Sequence, residues 1–326
     1  MQEPTRAFAA TMQAVWFSDD QGETWLRPNT QKGGFYNEAH AWCCVTHPTR
    51  PGEVWTGTDV GIYRWLPAES RWNHVPSPLD GFHVQQLAID PRDPNVVYAG
   101  TRPAQVWQSR DGGDTWHRCN LKIDSECYFI NTPRVTSINI EPWPPHAVWV
   151  TIEIAGPYRS DDGGRTWTHL PIGLKSIDTH NVVFRQHEGA NTVLITTEEG
   201  LHRSTDDGRT WTPVPVPPCP YEYMRCMEQR ADGTGFLLLS AGDRPSGVTG
   251  SLYRSRDFGK SWETVDLPGQ VNSTIWWIGM HPADPMLIFA CTIFGQIWRS
   301  TDGGESFHKM TRELGEIRMI GWAPTA

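Results

Sequence analysis

The stretch SDDGGRTW, at residues 160–167, is the unit on which this chain is built. Closely similar octets begin at five other positions: Ser18, Ser109, Ser204, Ser255 and Ser300. Each octet stands between two short runs rich in aromatic and β-branched residues. Its Ser, Asp and Gly residues are the types that bend a chain and hydrogen-bond its backbone. The octet therefore predicts a tight turn between two antiparallel strands.

The runs around the octets predict the architecture. A run that often ends in Pro opens each unit, as in AWCCVTHP (41–48), and brings the count to four strands per unit. Residues 53–75 keep this rhythm without an octet and form a seventh unit. The N-terminus supplies three strands, and the run EIRMIGWAP (316–324) supplies the fourth, which closes a ring. We expect an all-β, seven-bladed β-propeller of four-stranded antiparallel blades, forming a single domain over residues 1–326.

Composition and charge argue against several classes of partner. The net charge of −9, with Lys and Arg dispersed among acidic residues, argues against nucleic acid. No stretch is apolar for the roughly eighteen residues of a membrane span, so no membrane partner is expected. The N-terminus lacks a basic region followed by an apolar core, which predicts a cytoplasmic protein with reduced thiols. Two disulfide alternatives stay open, Cys119 with Cys127 and Cys219 with Cys226.

The octets match the pattern S-x-D-x-G-x-T/S-W. In this the chain resembles, blade by blade, proteins that carry the Asp-box, or bacterial neuraminidase repeat. Sialidases, xyloglucan-degrading enzymes, sortilin-type receptors and photosystem II assembly factors have such repeats, so the resemblance implies the fold and leaves the function open. A true sialidase is not expected, because the chain has no F-R-I-P-like segment and sialidases resemble six-bladed rings.

The octets lie between the third and fourth strands of a blade, so functional residues are expected on the opposite face. Most innermost strands end in Pro, and the residue eight positions before this Pro is expected at the mouth of the central channel. This rule selects one residue in each such blade. Blade five lacks this Pro, and its FRQHE segment (184–188) is matched to the same register instead. Blade six offers either Tyr223 or Glu222. The predicted ring consists of His40, His83, Arg134, His180, Tyr223, Thr274 and Glu316.

Three imidazoles in one ring predict a metal site. His40, His83 and His180 would hold a divalent transition metal (Zn, Fe, Mn or Cu) with positions left open for a substrate. The segments between strands two and three add carboxylates, including that of Asp59, to the same face. The predicted catalytic set is Glu153, Glu198, Arg134 and Tyr223. Three guanidinium groups suit a small-molecule substrate that is anionic or glycan-like: Arg102, Arg134 and Arg318.

The leading hypothesis is a metal-dependent enzyme acting on a small molecule, as hydrolase, lyase or oxygenase. Its geometry looks like that of carotenoid-cleaving oxygenases, which are propellers with a four-His iron site. One alternative is a two-carboxylate glycoside hydrolase that uses Glu153 and Glu198. The other is a non-catalytic binding or assembly propeller. Long insertions at residues 117–133 and 240–251 predict a lid or binding loop. Three aromatic residues are candidates for its wall: Tyr128, Phe129 and Phe294.

Overall fold

The structure is a computed structural model that describes residues 5–28, 38–123, 132–187 and 189–325. These residues form 27 β-strands and two short 3₁₀ helices, Pro67–Glu69 and Pro78–Gly81. The strands are β1 Thr5–Thr11, β2 Ala14–Ser18, β3 Ala41–Thr46, β4 Val54–Thr58, β5 Gly61–Leu66, β6 Arg71–Val75, β7 His83–Ile89, β8 Val97–Arg102, β9 Val106–Ser109, β10 His117–Arg118, β11 Val135–Ile140, β12 Val148–Ile152, β13 Gly156–Ser160, β14 Thr168–His169, β15 Thr179–His187, β16 Ala190–Thr197, β17 Gly200–Ser204, β18 Thr212–Val214, β19 Tyr223–Gln229, β20 Leu237–Gly242, β21 Gly250–Ser255, β22 Glu263–Val265, β23 Ile275–Gly279, β24 Ile288–Thr292, β25 Ile297–Ser300, β26 His308–Lys309 and β27 Ile317–Pro324.

Seven antiparallel sheets, counted over the described ranges, stand around a central channel as the blades of a propeller. Blade 1 combines β27, β1 and β2. Blades 2 to 7 follow in chain order as β3–β6, β7–β10, β11–β14, β15–β18, β19–β22 and β23–β26. The innermost strand of each blade contacts that of the next, and β27 contacts β3, so the ring is closed. The predicted all-β, seven-bladed propeller is confirmed.

Blades 1 and 2 depart from the regular pattern in ways that the sequence indicates. In blade 1, β27 pairs with β1 along its length, and a one-residue fourth strand forms where Phe17 and Leu26 exchange two backbone hydrogen bonds of 2.8 Å. Blade 2 has no octet. Its last turn is the helix Pro67–Glu69, ended by Ser70 in the left-handed conformation (φ 48°), and Trp72 is buried behind it. Both blades therefore keep the sheet while changing the turn.

Each octet is a turn held by its own side chains. In the octet at Ser109, the Ser109 hydroxyl donates to Asp111 (2.7 Å) and accepts from the Gly113 amide (2.8 Å). Asp111 also accepts from the amide and the hydroxyl of Thr115, at 2.9 and 2.5 Å. The same four bonds recur in the other five octets. The octets are thus self-contained turns.

The octet glycine joins one blade to the next. Gly113 has a left-handed φ of 96°, and a Cβ placed on it would lie 2.7 Å from Trp55 of the preceding blade. Gly208 meets Trp149 in the same way, at 2.4 Å. Neither the backbone conformation nor the space admits another residue there. Each of the six octet glycines contacts a large side chain of the preceding blade: Phe289, Trp55, Tyr98, Trp149, Leu194 and Phe236.

Several smaller expectations can be compared with the structure. Cys219 and Cys226 are free thiols, so the suggested pairing between them is wrong. Cys127, Tyr128 and Phe129 lie outside the described residues. No helix in the part of the chain that the structure describes is long and apolar enough to cross a membrane.

Substituting the octet carboxylate should lower thermal stability in a pH-dependent manner. Hydrogen bonds from Thr115 and Ser109 lower the pKa of Asp111 from 3.8 to about 2. A depressed folded-state pKa stabilises the fold above the unfolded value, and this stabilisation is lost as pH falls from 3.8 towards 2. We expect Asp111→Asn to lower the melting temperature at pH 7 and to differ less from wild type near pH 2.

Asp114→Asn in the same octet is the matched control, because no hydrogen bond or ion pair of its side chain is found among the described residues. Thermal unfolding of both variants from pH 2 to pH 7 is the measurement. Equal melting temperatures for Asp111→Asn and Asp114→Asn at pH 7 would contradict the role given to the octet.

Candidate functional site

Every innermost strand carries a β-bulge near its first residue. In blade 2, Ala41 pairs with Thr58 and Cys43 with Gly57, which leaves Trp42 as the extra residue. The same register shift occurs in the other six blades. A bulge turns a side chain out of the regular alternation of a strand. The bulge positions are Trp42, Gln85, Thr136, His180, Arg225, Trp276 and Arg318, and all but His180 line a narrow cavity that we call the channel neck.

The residue two positions before each bulge lies at the mouth of the channel, on the face that we call upper. Six of these residues are the ones predicted, but in blade 5 the position belongs to Asp178, and His180 is the bulge residue. A recurring backbone bond identifies the position. The backbone amide of the residue after the second strand donates to the backbone carbonyl of the mouth residue. In blade 4 the Glu153 amide donates to the Arg134 carbonyl, and in blade 5 the Glu198 amide donates to the Asp178 carbonyl, at 3.0 Å in both. The predicted register of blade 5 is wrong by two residues, because β15 is nine residues long and no Pro marks its end.

The three predicted metal ligands do not form a ligand set. His180 is buried; its Nδ1 donates to the Met224 carbonyl (2.6 Å), and its Nε2 faces Asp178 at 3.4 Å. The His83 ring stacks on Trp42 with 5.6 Å between ring centres. The His40 Nδ1 lies 3.8 Å from an Asp59 carboxylate oxygen. Among the described residues, no group of three or more His, Cys, Asp or Glu could hold a metal ion. The three-His metal site is therefore not supported, and no step is assigned to Zn, Fe, Mn or Cu.

Guanidinium and indole groups fill the channel neck instead. The Arg225 guanidinium lies 4.2 Å from the ring centre of Trp276. Arg318 stands between Trp276 and Trp42, at 5.5 and 5.2 Å from their ring centres, and Trp42 stacks in turn on His83. Such cation–π contacts are favourable where water is excluded. The stack runs through five consecutive blades and leaves a cavity of about 10 Å³, which is enough for one water-sized group.

The three arginines around the neck differ in their partners. Arg134 forms an ion pair with Glu153 at 3.0 Å, and both side chains are about 15% exposed. Arg318 forms an ion pair with Glu316. Burial lowers the pKa of Arg318 to about 10, although Glu316 opposes this shift. Arg225 is 5% exposed, and no carboxylate in the described residues lies within 4 Å of it. Burial also lowers the pKa of Arg225.

Two neighbouring carboxyl groups at the mouth have pKa values shifted in opposite directions. Burial, and then the charge of Asp178, raise the pKa of Glu198. Burial acts to raise the pKa of Asp178 too, but His180, with Arg225 and Arg134 further away, lowers it overall. Such a pair can supply a proton donor and a permanent carboxylate side by side. Tyr223 packs its ring on His180 with 4.9 Å between centres, and burial raises the pKa of its phenol to about 12.

Hydroxyl groups of the preceding blade hold two bulges in place. Thr151 Oγ1 in blade 4 donates to the His180 carbonyl at 3.1 Å. Thr196 Oγ1 in blade 5 lies 3.4 Å from the Arg225 carbonyl and shares its proton with the Asn181 carbonyl of its own blade, at the same distance. These bonds tie the backbone of each bulge to its neighbour, so the side chains at the mouth are fixed by the packing of the ring.

The lower part of the channel is a separate, mostly apolar cavity of about 160 Å³. Its lining includes Phe8, Cys44, Trp277 and Met319, and a single carboxyl group, that of Glu228, faces it. Loss of hydration raises the pKa of Glu228 from 4.5 to about 8. Its surroundings therefore favour the protonated form of this carboxyl group.

The chain is a seven-bladed β-propeller with BNR/Asp-box repeats. A BNR/Asp-box repeat model matches residues 158–169, and a BNR-Asp box repeat model matches residues 252–265. Both segments contain an octet with the strands that flank it.

Comparison with known proteins extends this likeness over most of the chain. An oligoxyloglucan-reducing end-specific xyloglucanase of Emericella nidulans is 23% identical over 238 residues, covering 69% of this chain and 24% of the relative. The crystal structure of the Niastella koreensis GH74 enzyme has a TM-score of 0.67 at 20% identity, covering 86% of this chain and 46% of that one. A structure of YCF48 bound to D1 peptide has a TM-score of 0.58 at 15% identity, covering 84% and 81%. At these identities the likeness shows the fold, and the chain spans about a quarter of the length of the xyloglucanase.

Removing the charge of Glu228 should flatten the pH dependence of stability. A folded-state pKa raised above 4.5 means that the folded state holds a proton that the unfolded state has lost. Stability then falls as pH rises from 4.5 to 8. We expect wild type to lose about 1–3 kcal/mol of unfolding free energy over this range relative to Glu228→Gln.

Chemical denaturation at a series of pH values measures this effect. Glu222→Gln, an exposed carboxyl group that immediately precedes the same strand, is the control and should follow wild type. Parallel pH profiles for wild type and Glu228→Gln would show that the lower channel hydrates this carboxyl group.

Proposed function

We propose that this protein binds a carbohydrate at the upper mouth of its channel and hydrolyses a glycosidic bond there. The observation that carries the proposal is the pairing of Asp178 and Glu198, neighbouring carboxyl groups with opposite pKa shifts at the open end of the channel. Hydrolysis of a glycosidic bond needs one protonated and one ionised carboxyl group. The metal-dependent alternative lacks a ligand set among the described residues and is not pursued.

In this mechanism Glu198 is the acid. It donates its proton to the glycosidic oxygen as the bond from that oxygen to the anomeric carbon breaks. Asp178, kept ionised by His180 and the nearby arginines, stabilises the positive charge that develops on the sugar ring. Water supplies the hydroxyl group at the anomeric carbon, and its remaining proton restores Glu198.

The other predicted catalytic residues take positioning roles in this proposal. Glu153 is engaged by Arg134, so the pair Glu153 and Glu198 considered from the sequence gives way to Asp178 and Glu198. Tyr223 supports the ring of His180 from below. Glu153 thus acts through Arg134, and Tyr223 acts through His180, which in turn faces Asp178.

A carbohydrate substrate is supported by the relatives and by the surface of the mouth. The relatives compared above include a xyloglucanase, although it is far longer than this chain. Phe294 is 44% exposed, in the segment that joins β24 to β25 on the upper face. An exposed aromatic ring offers an apolar surface to the faces of sugar rings.

A second candidate is a propeller that binds its ligand without cleaving it. The guanidinium–indole stack favours this function, because it leaves only about 10 Å³ at the neck, so the sugar rings of a ligand would rest on the mouth and at most one small group would reach the neck. YCF48, which shares the fold, has been captured with a bound peptide.

Kinetics on a panel of neutral and acidic oligosaccharides and aryl glycosides tests the proposal. We expect Glu198→Gln to lower kcat by about 100-fold or more and to remove the limb of the pH profile that reports the acid, with little change in KM. Asp178→Asn should lower kcat as well. Glu199→Gln, the exposed carboxyl group next in the chain, is the matched control and should keep wild-type kinetics.

The outcomes separate the two candidates. Wild-type protein that binds an oligosaccharide and releases no product supports the binding function. Cleavage that survives Glu198→Gln, or no binding of any carbohydrate, would overturn the proposal.

A further inference from the structure

Arg225 is a buried cation without a counter-ion in the described part of the chain. It is 5% exposed, and its Nε and Nη1 atoms have no hydrogen-bond partner there. A buried guanidinium left unpaired is strongly unfavourable, and one face over Trp276 replaces only part of its lost hydration. Asp178 acts on it from beyond 4 Å while facing His180. The Arg225 guanidinium at the neck therefore lacks a hydrogen-bond acceptor among the described residues, and a bound ligand could supply one.

The neighbouring arginines have spare donors as well. The Nε atoms of Arg134 and Arg318 are buried without a partner, although each guanidinium has an ion pair with Glu153 or Glu316. Arg225 is thus the one of these three arginines that has no carboxylate within 4 Å in the described residues. All three side chains line the cavity of about 10 Å³.

We infer that the neck binds one carboxylate group of the ligand, with Arg225 as its principal partner and Arg134 and Arg318 as further donors. Combined with the proposed function, on which this part of the inference rests, the substrate is an acidic glycan that carries a uronic acid. A carboxylate has a single charge, and one of its oxygens is the size of the water-sized space that the stack leaves. Phosphate is bulkier, carries more charge and fits this space less well.

Arg225 is held for such a contact rather than packed as filler. Its guanidinium carbon lies over the Trp276 ring, 4.2 Å from the ring centre, and the side chain lines the neck. A guanidinium held over an aromatic ring can donate from its edge, which is the geometry in which Arg recognises carboxylates. Lys in this position would keep the charge and lose the plane.

Calorimetric titration compares glucuronate and a glucuronate-terminated oligosaccharide with glucose and the matching neutral oligosaccharide. Sulfate and inorganic phosphate are titrated separately. We expect the acidic oligosaccharide to bind wild type about tenfold or more tightly than the neutral one. Arg225→Met should remove this preference, while Arg225→Lys keeps part of it. Arg209→Met, on an octet at the lower face, makes the same charge change and should leave binding as in wild type.

Thermal stability distinguishes a binding role from a structural one. Because Arg225→Met removes an unpaired buried charge, its melting temperature without ligand should equal or exceed that of wild type. Glucuronate should raise the melting temperature of wild type and not that of the variant.

Each remaining outcome decides one question. Binding of simple carboxylates but of no sugar would uphold the anion site and overturn the carbohydrate function. Equal affinity for acidic and neutral sugars would overturn the anion site and leave the carbohydrate function standing. Tighter binding of phosphate than of glucuronate would overturn the carboxylate assignment. A melting temperature of Arg225→Met well below that of wild type, with carboxylate binding retained, would make Arg225 a structural residue.

Discussion

A one-residue bulge near the start of each innermost strand determines what this propeller presents to its channel. In a regular innermost strand, successive side chains point alternately towards the two adjoining blades. Without bulges, the channel would therefore be lined mainly by backbone. The bulge gives each blade one residue that leaves this alternation. Around the ring these residues are two Trp, two Arg, Gln, Thr and His, and all but the His line the neck. Each mouth residue lies two positions before the bulge residue of its blade, so its position depends on the same strand register.

The two faces of the ring have different physical demands. On the lower face, octet side chains hydrogen-bond within each turn, and octet glycines seat a large side chain of the preceding blade. On the upper face, buried guanidinium nitrogens are left without acceptors, and neighbouring carboxyl groups have opposed pKa values. Buried cations without a hydrogen-bond partner beside carboxyl groups of shifted pKa are typical of a functional site. The turns and packing of the lower face stabilise the fold, and this stability offsets the cost of the unpaired groups on the upper face.

The sequence predicts this fold closely because its main signals are local. The octets, the Pro at the end of most innermost strands, and the C-terminal run that completes blade 1 all mark strands directly. The site is less predictable, because it depends on register to within one residue. His180 was assigned to the mouth because β15 continues to His187 without a Pro, and this displaced Asp178 from the predicted set. Arg225 was not predicted at all, since a bulge interrupts the period of two on which inward and outward residues are distinguished. The metal hypothesis depended on three imidazoles that the structure separates.

The account depends most on where the guanidinium of Arg225 points and what it touches. A crystal structure of the wild-type protein grown with glucuronate tests this directly. We expect Trp42, Trp276 and Arg318 to enclose the neck, with a carboxylate group in contact with the guanidinium group of Arg225. An Arg225 side chain turned into its blade, or paired with a carboxylate of the chain itself, would contradict it.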